Sequence, residues 1–346
     1  MDSIIAFGLN NTIVGNNGDI FTSTATAATE ESSFDNKQLI TIFIACAPVS
    51  IVGSLFIIIT WSIFAKLKHS GSNFIWFQAI SDFLFTLKYI ITIIFYYLNI
   101  PQFTESTTVN DPVSPYCFGL GLFSQFFGQA TILWSFSMTI KVFHSYIKIK
   151  SNKPKQQQQQ QIQPQQQSGE KSLKYYHLFV WGFCAINAAV VGVFKQYGPT
   201  STGCWIVGSS NPFRLFELIP LYITITFSVI ILILILIKMR KNRPISLLPT
   251  ESQRYRLQER EFKVQLMKFI LIFVIFWTPA TILRTLEYFG IENKFFILLD
   301  AVSVSLQALA NALVWATSKQ FYTLLNKKIK GSRKTKQLER EYLINK

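Results

Sequence analysis

Four ionisable side chains, Asp82, Lys88, Arg284 and Asp300, fall within stretches otherwise made of apolar residues. If those stretches lie in lipid, each such group costs a few kcal/mol or more and must face a bundle interior, water or a partner. Two carboxylates and two cations can do one of two things there. They can form internal ion pairs, or snorkel, and merely hold helices together. Alternatively they can line a small polar cavity whose cationic component suits an anionic ligand. Glu217, Arg214 and Trp205 fall near the rim of the same region and would complete such a pocket. Both readings stay open for Lys88 and Asp300, while Arg284 reads first as a snorkelling chain. The three histidines, His69, His144 and His177, show no metal-ligand spacing and no nucleophile-base pair. No catalysis, cofactor or metal is therefore expected.

The elements that must position these residues are membrane helices. Half of the 346 residues are hydrophobic, 32 are Phe and only 15% are charged. That balance suits burial in a bilayer. A helix needs about 20 mostly apolar residues to cross the hydrocarbon layer. Seven runs qualify, at 39–64, 74–98, 117–146, 175–195, 214–238, 264–290 and 295–318. The expected fold is an all-α membrane protein, a seven-transmembrane helix bundle over 39–318. Before it lies an outer segment, 1–38, without the pattern of a cleavable signal peptide. After it, 319–346 form an inner tail in which Phe321, Leu324, Leu325 and Ile329 recur at helical spacing beside Lys327, Lys328 and Lys330. That pattern describes a short amphipathic helix on the inner leaflet, with a solvated tail as the plainer alternative.

Lys and Arg set the orientation, because cationic loops resist translocation. The segments after spans one, three, five and seven hold 2, 6, 8 and 9 of them, which is 25 of the chain's 33. The first 38 residues carry one Lys against five acidic residues, so the N-terminus is expected outside and the C-terminus in the cytoplasm. The net charge of +15 then reads as contacts with anionic lipid and cytoplasmic partners, not with nucleic acid. Asn10 heads a glycosylation sequon on the outer side. Cys117 and Cys204 both fall on the oxidising outer side and can form a disulfide, whereas Cys46 and Cys184 lie inside spans as small apolar side chains. In this orientation Lys88 sits in the outer half of span two, with Asp82 about 9 Å deeper.

The inner loop 147–174 contains a glutamine run, Gln156 to Gln161, too polar to bury a core and expected to be disordered. Helix formers from Gln253 to Lys263 extend span six into the cytoplasm. Lys141, near the inner end of span three, can snorkel to lipid phosphate or touch a partner. Phe276-Trp277-Thr278-Pro279 couples a proline kink to a bulky indole, a plausible pivot formed by Trp277 and Pro279.

Seven spans, an outer cysteine pair, Trp277-x-Pro279 and a terminal surface helix together resemble a G-protein-coupled receptor. Within that superfamily several stretches look like the cyclic-AMP receptor and receptor-like group of social amoebae. They are Ser81-Asp82-Phe83-Leu84, Ser124-Gln125-Phe126-Phe127, Leu133-Trp134, Gly203-Cys204-Trp205-Ile206, Leu306-Gln307-Ala308 and Asn311-Ala312-Leu313-Val314. The resemblance implies a plasma-membrane receptor that binds an external small-molecule ligand, cyclic AMP or another small anion, and activates a heterotrimeric G protein. Lys88 and Arg284 would hold the ligand's phosphate, and Lys141, Arg254, Arg260 and Lys263 would contact the G protein. Two departures from rhodopsin-like receptors stand out. Thr139-Ile140-Lys141 occupies the place of their acid-Arg-aromatic triplet, and Asn311-Ala312-Leu313-Val314-Trp315 replaces Asn-Pro-x-x-Tyr. Residues 295–318 contain no Lys, which excludes the usual retinal Schiff base. A membrane transporter or channel for a small polar solute is the rival class, but it should show paired interrupted helices or repeat symmetry.

Overall fold

The computed structural model describes residues 23–64, 72–100, 114–151, 166–200, 202–241, 251–291, 293–319 and 321–326. Among them are seven long helices: α1 (Ser23–Ile63), α2 (Ser72–Tyr97), α3 (Pro115–Ser151), α4 (Gln166–Val193), α5 (Leu215–Lys241), α6 (Glu251–Tyr288) and α7 (Lys294–Ala316). Two compact units divide the chain, Met1–Gln38 and Leu39–Lys346, and the second contains the helix packing and the site. Residues 321–326 continue as a short helical stretch beyond α7, where Phe321 is buried with its ring edge-on to Phe56 and Phe64. Glu251 starts α6 well before its apolar run, as the helix formers there require.

Six helices are long and apolar enough to cross a membrane, and large apolar side chains such as Val52, Leu178, Ile186, Ile233 and Ile275 stand exposed on their outer faces. The chain is a multi-pass membrane protein. The seventh helix, α3, falls short in apolarity because it faces protein on most sides, packing against α2, α4, α5 and α6. Its Ser124, Gln125, Gln129, Thr131, Ser135, Ser137 and Thr139 are all buried. With no water at that depth, Ser124, Gln129, Thr131, Ser135 and Thr139 bond to neighbouring helices, Gln125 accepts from Trp205, and Ser137 donates back to the Leu133 carbonyl of α3 itself.

Proline is accommodated the same way. Pro220 has no N–H, so the Phe216 carbonyl one turn earlier in α5 loses its helical donor. Gln129 Nε2 from α3 and Asn187 Nδ2 from α4 donate to it instead, at 2.8 and 3.1 Å. Where α1 meets α7, the backbones approach so closely that a Cβ on Gly53 would lie 3.1 Å from the Leu309 Cα.

The connection from α4 to α5 folds into a hairpin that the hydropathy pattern does not announce. Strand β1 (Tyr197–Thr200) pairs antiparallel with β2 (Gly203–Ile206), and Gly203 supplies the turn with a φ of +110°. A disulfide joins Cys117, at the start of α3, to Cys204 in β2. The hairpin is thereby fastened over one end of α3.

Candidate functional site

The bridge to Cys117 directs the next residue of β2, Trp205, into the bundle, where it is 7% exposed. Its Nε1 donates to Gln125 Oε1 of α3 at 2.7 Å, and both Arg214 and Arg284 lie over its ring, at 5.0 and 4.7 Å. Tyr197, on the partner strand, donates from its hydroxyl to the Ala188 carbonyl of α4 at 3.1 Å. Burial, with the Glu217 charge adding to it, holds that phenol above the usual range.

Beneath the hairpin lies a cavity of about 50 Å³ lined by Lys88, Ser124, Thr202, Trp205, Glu217, Arg284 and Asp300, with Trp277 at the α6 side. Of the residues expected to form a polar pocket, Lys88, Trp205, Glu217, Arg284 and Asp300 converge here, whereas Arg214 and Asp82 do not line it. Arg214, expected near the rim, is buried at 6% exposure and lies behind the cavity lining. Its Nη1 donates to Glu287 Oε2 at 2.7 Å and its Nε to the Ile206 carbonyl at 3.2 Å, fixing the hairpin to α6. Arg284 turns into the bundle instead of snorkelling outward. Its Nη1 donates to Glu287 Oε2 and Oε1 at 2.8 and 3.0 Å, while its Nη2 reaches Asp300 Oδ2 at 3.7 Å and Thr202 Oγ1 at 3.3 Å.

Lys88 behaves differently. Its Nζ donates to Ser124 Oγ at 3.0 Å and rests against the Phe85 and Tyr89 rings at 4.9 and 5.0 Å, with no ion pair to any described residue. Glu217 likewise has no ion pair among the described residues, although it lines the same cavity beside the Trp205 indole. Asp300 Oδ1 is buried without a hydrogen-bond partner among the described residues.

Asp82 belongs to a separate, deeper network. Gln78 and Thr131 donate to its Oδ1 at 2.9 and 3.2 Å, and Asn311 of α7 donates to its Oδ2 at 2.8 Å. Between this network and the cavity stands Trp277, which donates from Nε1 to Gln307 Oε1 of α7 at 2.6 Å and stacks on Phe85 at 6.0 Å. The indole beside Pro279 therefore ties α6 to α2 and α7 at the cavity floor.

At the opposite end of the bundle, Lys141 and Lys263 are half-buried. The side chains of Arg254 and Arg260, together with Asn10, the glutamine run and Lys327 onward, lie outside the described residues. Lys319, just past α7, contacts Glu261 of α6 at 2.5 Å. Sequence reasoning missed Glu287, whose signal is its place one turn beyond Arg284, and the polar partners Ser124 and Gln125 that α3 contributes.

Comparison with known proteins places this geometry in a family. The chain matches the Frizzled/Smoothened family membrane region over residues 31–295. It is 68% identical over 319 residues to cyclic AMP receptor-like protein F of Dictyostelium discoideum, covering 90% of this chain and 100% of that protein. It is also 21% identical over 290 residues to G-protein coupled receptor 1 of Arabidopsis thaliana, covering 81% and 78% of the two. Squid rhodopsin shares the fold, with a TM-score of 0.60 over 87% of each chain at 15% identity.

Proposed function

The chain belongs to the cyclic AMP receptor-like family of G-protein-coupled receptor type, and from that premise we propose that it senses an extracellular small molecule and activates a heterotrimeric G protein. It sits in the plasma membrane with the hairpin end outside and the C-terminus in the cytoplasm. The Lys and Arg content of the segments at the opposite end supports this orientation. One observation carries the reading: a buried cavity under a disulfide-fastened hairpin, faced by the Lys88 ammonium, which has no ion pair among the described residues. A desolvated cation of this kind suits a ligand with an anionic group, such as the phosphate of cyclic AMP.

Binding there acts on Trp277, which touches both Phe85 at the cavity and Gln307 of α7. A ligand that fits one arrangement of α6 better than another shifts the population between them. At the cytoplasmic end, movement of α6 would release Glu261 from Lys319 and present Lys141, Arg254, Arg260 and Lys263 to the G protein.

The test is GTP-analogue uptake by a G protein co-reconstituted with the receptor, with and without cyclic AMP, for wild type and Lys88→Gln. Receptor should raise uptake over receptor-free vesicles, and any ligand stimulation should be lost in the variant. No exchange with any of several G proteins, together with solute flux across the same vesicles, would replace the receptor reading with the transport one.

A further inference from the structure

The charges around the cavity balance. Among the described residues, the cations Lys88, Arg214 and Arg284 face the carboxylates Glu217, Glu287 and Asp300, three against three. Glu287 satisfies both guanidinium groups, and Asp300 Oδ2 adds to Arg284. What remains open is one cation and two acceptors: Lys88, Glu217 and the unpartnered Asp300 Oδ1. Lys88 comes from α2 and Glu217 from α5, so the two open charges approach the cavity from different helices.

A purely anionic ligand would satisfy Lys88 but leave the site with one uncompensated negative charge in low-dielectric surroundings, beside two carboxylates that repel it. A purely cationic ligand creates the mirror problem at Lys88. A molecule carrying both charges satisfies both sides and keeps the site neutral. The cavity of about 50 Å³ also favours a compact molecule, since one water needs about 10–15 Å³ of such space.

We infer that this cavity binds a small zwitterion of the amino-acid type, its carboxylate on Lys88 and its ammonium on Glu217 and Asp300. The inference rests on the receptor reading for its biological meaning, but not for its test. A cyclic nucleotide, an anion larger than the cavity, would need the site both to expand and to absorb an extra charge.

The test is thermal stabilisation of the purified full-length receptor in lipid nanodiscs. The probes are glycine, β-alanine, 4-aminobutyrate and 6-aminohexanoate, which separate the two charges by increasing lengths. N-acetylglycine supplies the anion alone, glycinamide the cation alone, and cyclic AMP the nucleotide. At least one zwitterion should raise Tm in a saturable way, with the single-charge probes at least tenfold weaker. Lys88→Gln should bring the matched amide level with the zwitterion, and Glu217→Gln should do the same for the N-acetyl form. Should either variant fail to fold, the wild-type ranking decides alone. Equal or tighter binding of N-acetylglycine or cyclic AMP, or no shift with any member of the series, overturns the inference. Stabilisation by a zwitterion without any G-protein exchange would keep the ligand class and reject the receptor reading. Exchange driven by cyclic AMP alone would do the reverse.

Discussion

Replacing Glu287 by Gln removes the charge that two buried guanidinium groups share. The carboxylate is 9% exposed and accepts from Arg214 at 2.7 Å and from Arg284 at 2.8 Å. Glutamine keeps one acceptor oxygen but turns an amide towards a cation, leaving the cluster with one excess positive charge. Breaking a buried pair in this way costs about 3–5 kcal/mol. The lower end applies, because Asp300 still lies 3.7 Å from Arg284 and both guanidinium groups keep the Trp205 face. At roughly 2–4 °C per kcal/mol, a cost near 3 kcal/mol lowers Tm by about 6–12 °C. The assay is the unfolding midpoint in nanodiscs at one fixed scan rate, since unfolding of a chain this size is commonly irreversible. The double variant Arg214→Gln, Glu287→Gln restores neutrality and should recover at least half of the loss. A single variant within about 2 °C of wild type, or a double variant that loses the sum of both singles, would refute the charge accounting.

Three further expectations follow from packing and pairing. A Cβ on Gly128 would lie 2.9 Å from Phe85 Cε2, so Gly128→Ala should displace the ring that flanks Lys88 and Trp277. A loss of about 1–3 kcal/mol is expected, read as a lower Tm, and Phe85→Leu in the same chain should relieve part of it. Gln129→Leu with Asn187→Leu leaves the Phe216 carbonyl without a donor, for about 1–3 kcal/mol. Adding Pro220→Ala restores the helical N–H and should remove at least half of that loss, again by Tm. Lys319→Ala breaks a contact whose lysine is 74% exposed, so stability should change by less than about 1 kcal/mol. Basal GTP-analogue exchange should nevertheless rise, by up to about fivefold if that contact restrains α6.

The spans were legible because a membrane helix needs a long apolar run, and the ionisable residues within them were legible because each is costly there. Which charges pair was not legible, since pairing depends on how helices are rotated against one another. Arg284 reads as a snorkelling chain from the sequence because only the folded helix shows Glu287, three residues on, accepting from it. The hairpin is not legible in the sequence because strands of four residues carry little hydropathy signal. Sequence distance alone puts Trp205 and Arg214 at the rim, whereas the Cys117–Cys204 bridge carries Trp205 inward and Arg214 follows through its contacts with Ile206 and Glu287. How Pro220 is accommodated is not legible in the sequence, since the donors that satisfy Phe216 come from α3 and α4, far along the chain.

The central claim is that an outward-facing cavity under the hairpin controls exchange at the cytoplasmic end. It is tested most directly by Thr202→Cys in receptor vesicles with a co-reconstituted G protein, treated with a membrane-impermeant thiol reagent on one side at a time. Thr202 lines the cavity and accepts from Arg284, so a bulky adduct there acts on the site itself. With wild type as the control for Cys46 and Cys184, modification should occur only from the side of the N-terminus. It should change the GTP-analogue exchange rate at least twofold, about 0.4 kcal/mol. Modification only from the opposite side, or full modification from the expected side with exchange unchanged, would contradict the account.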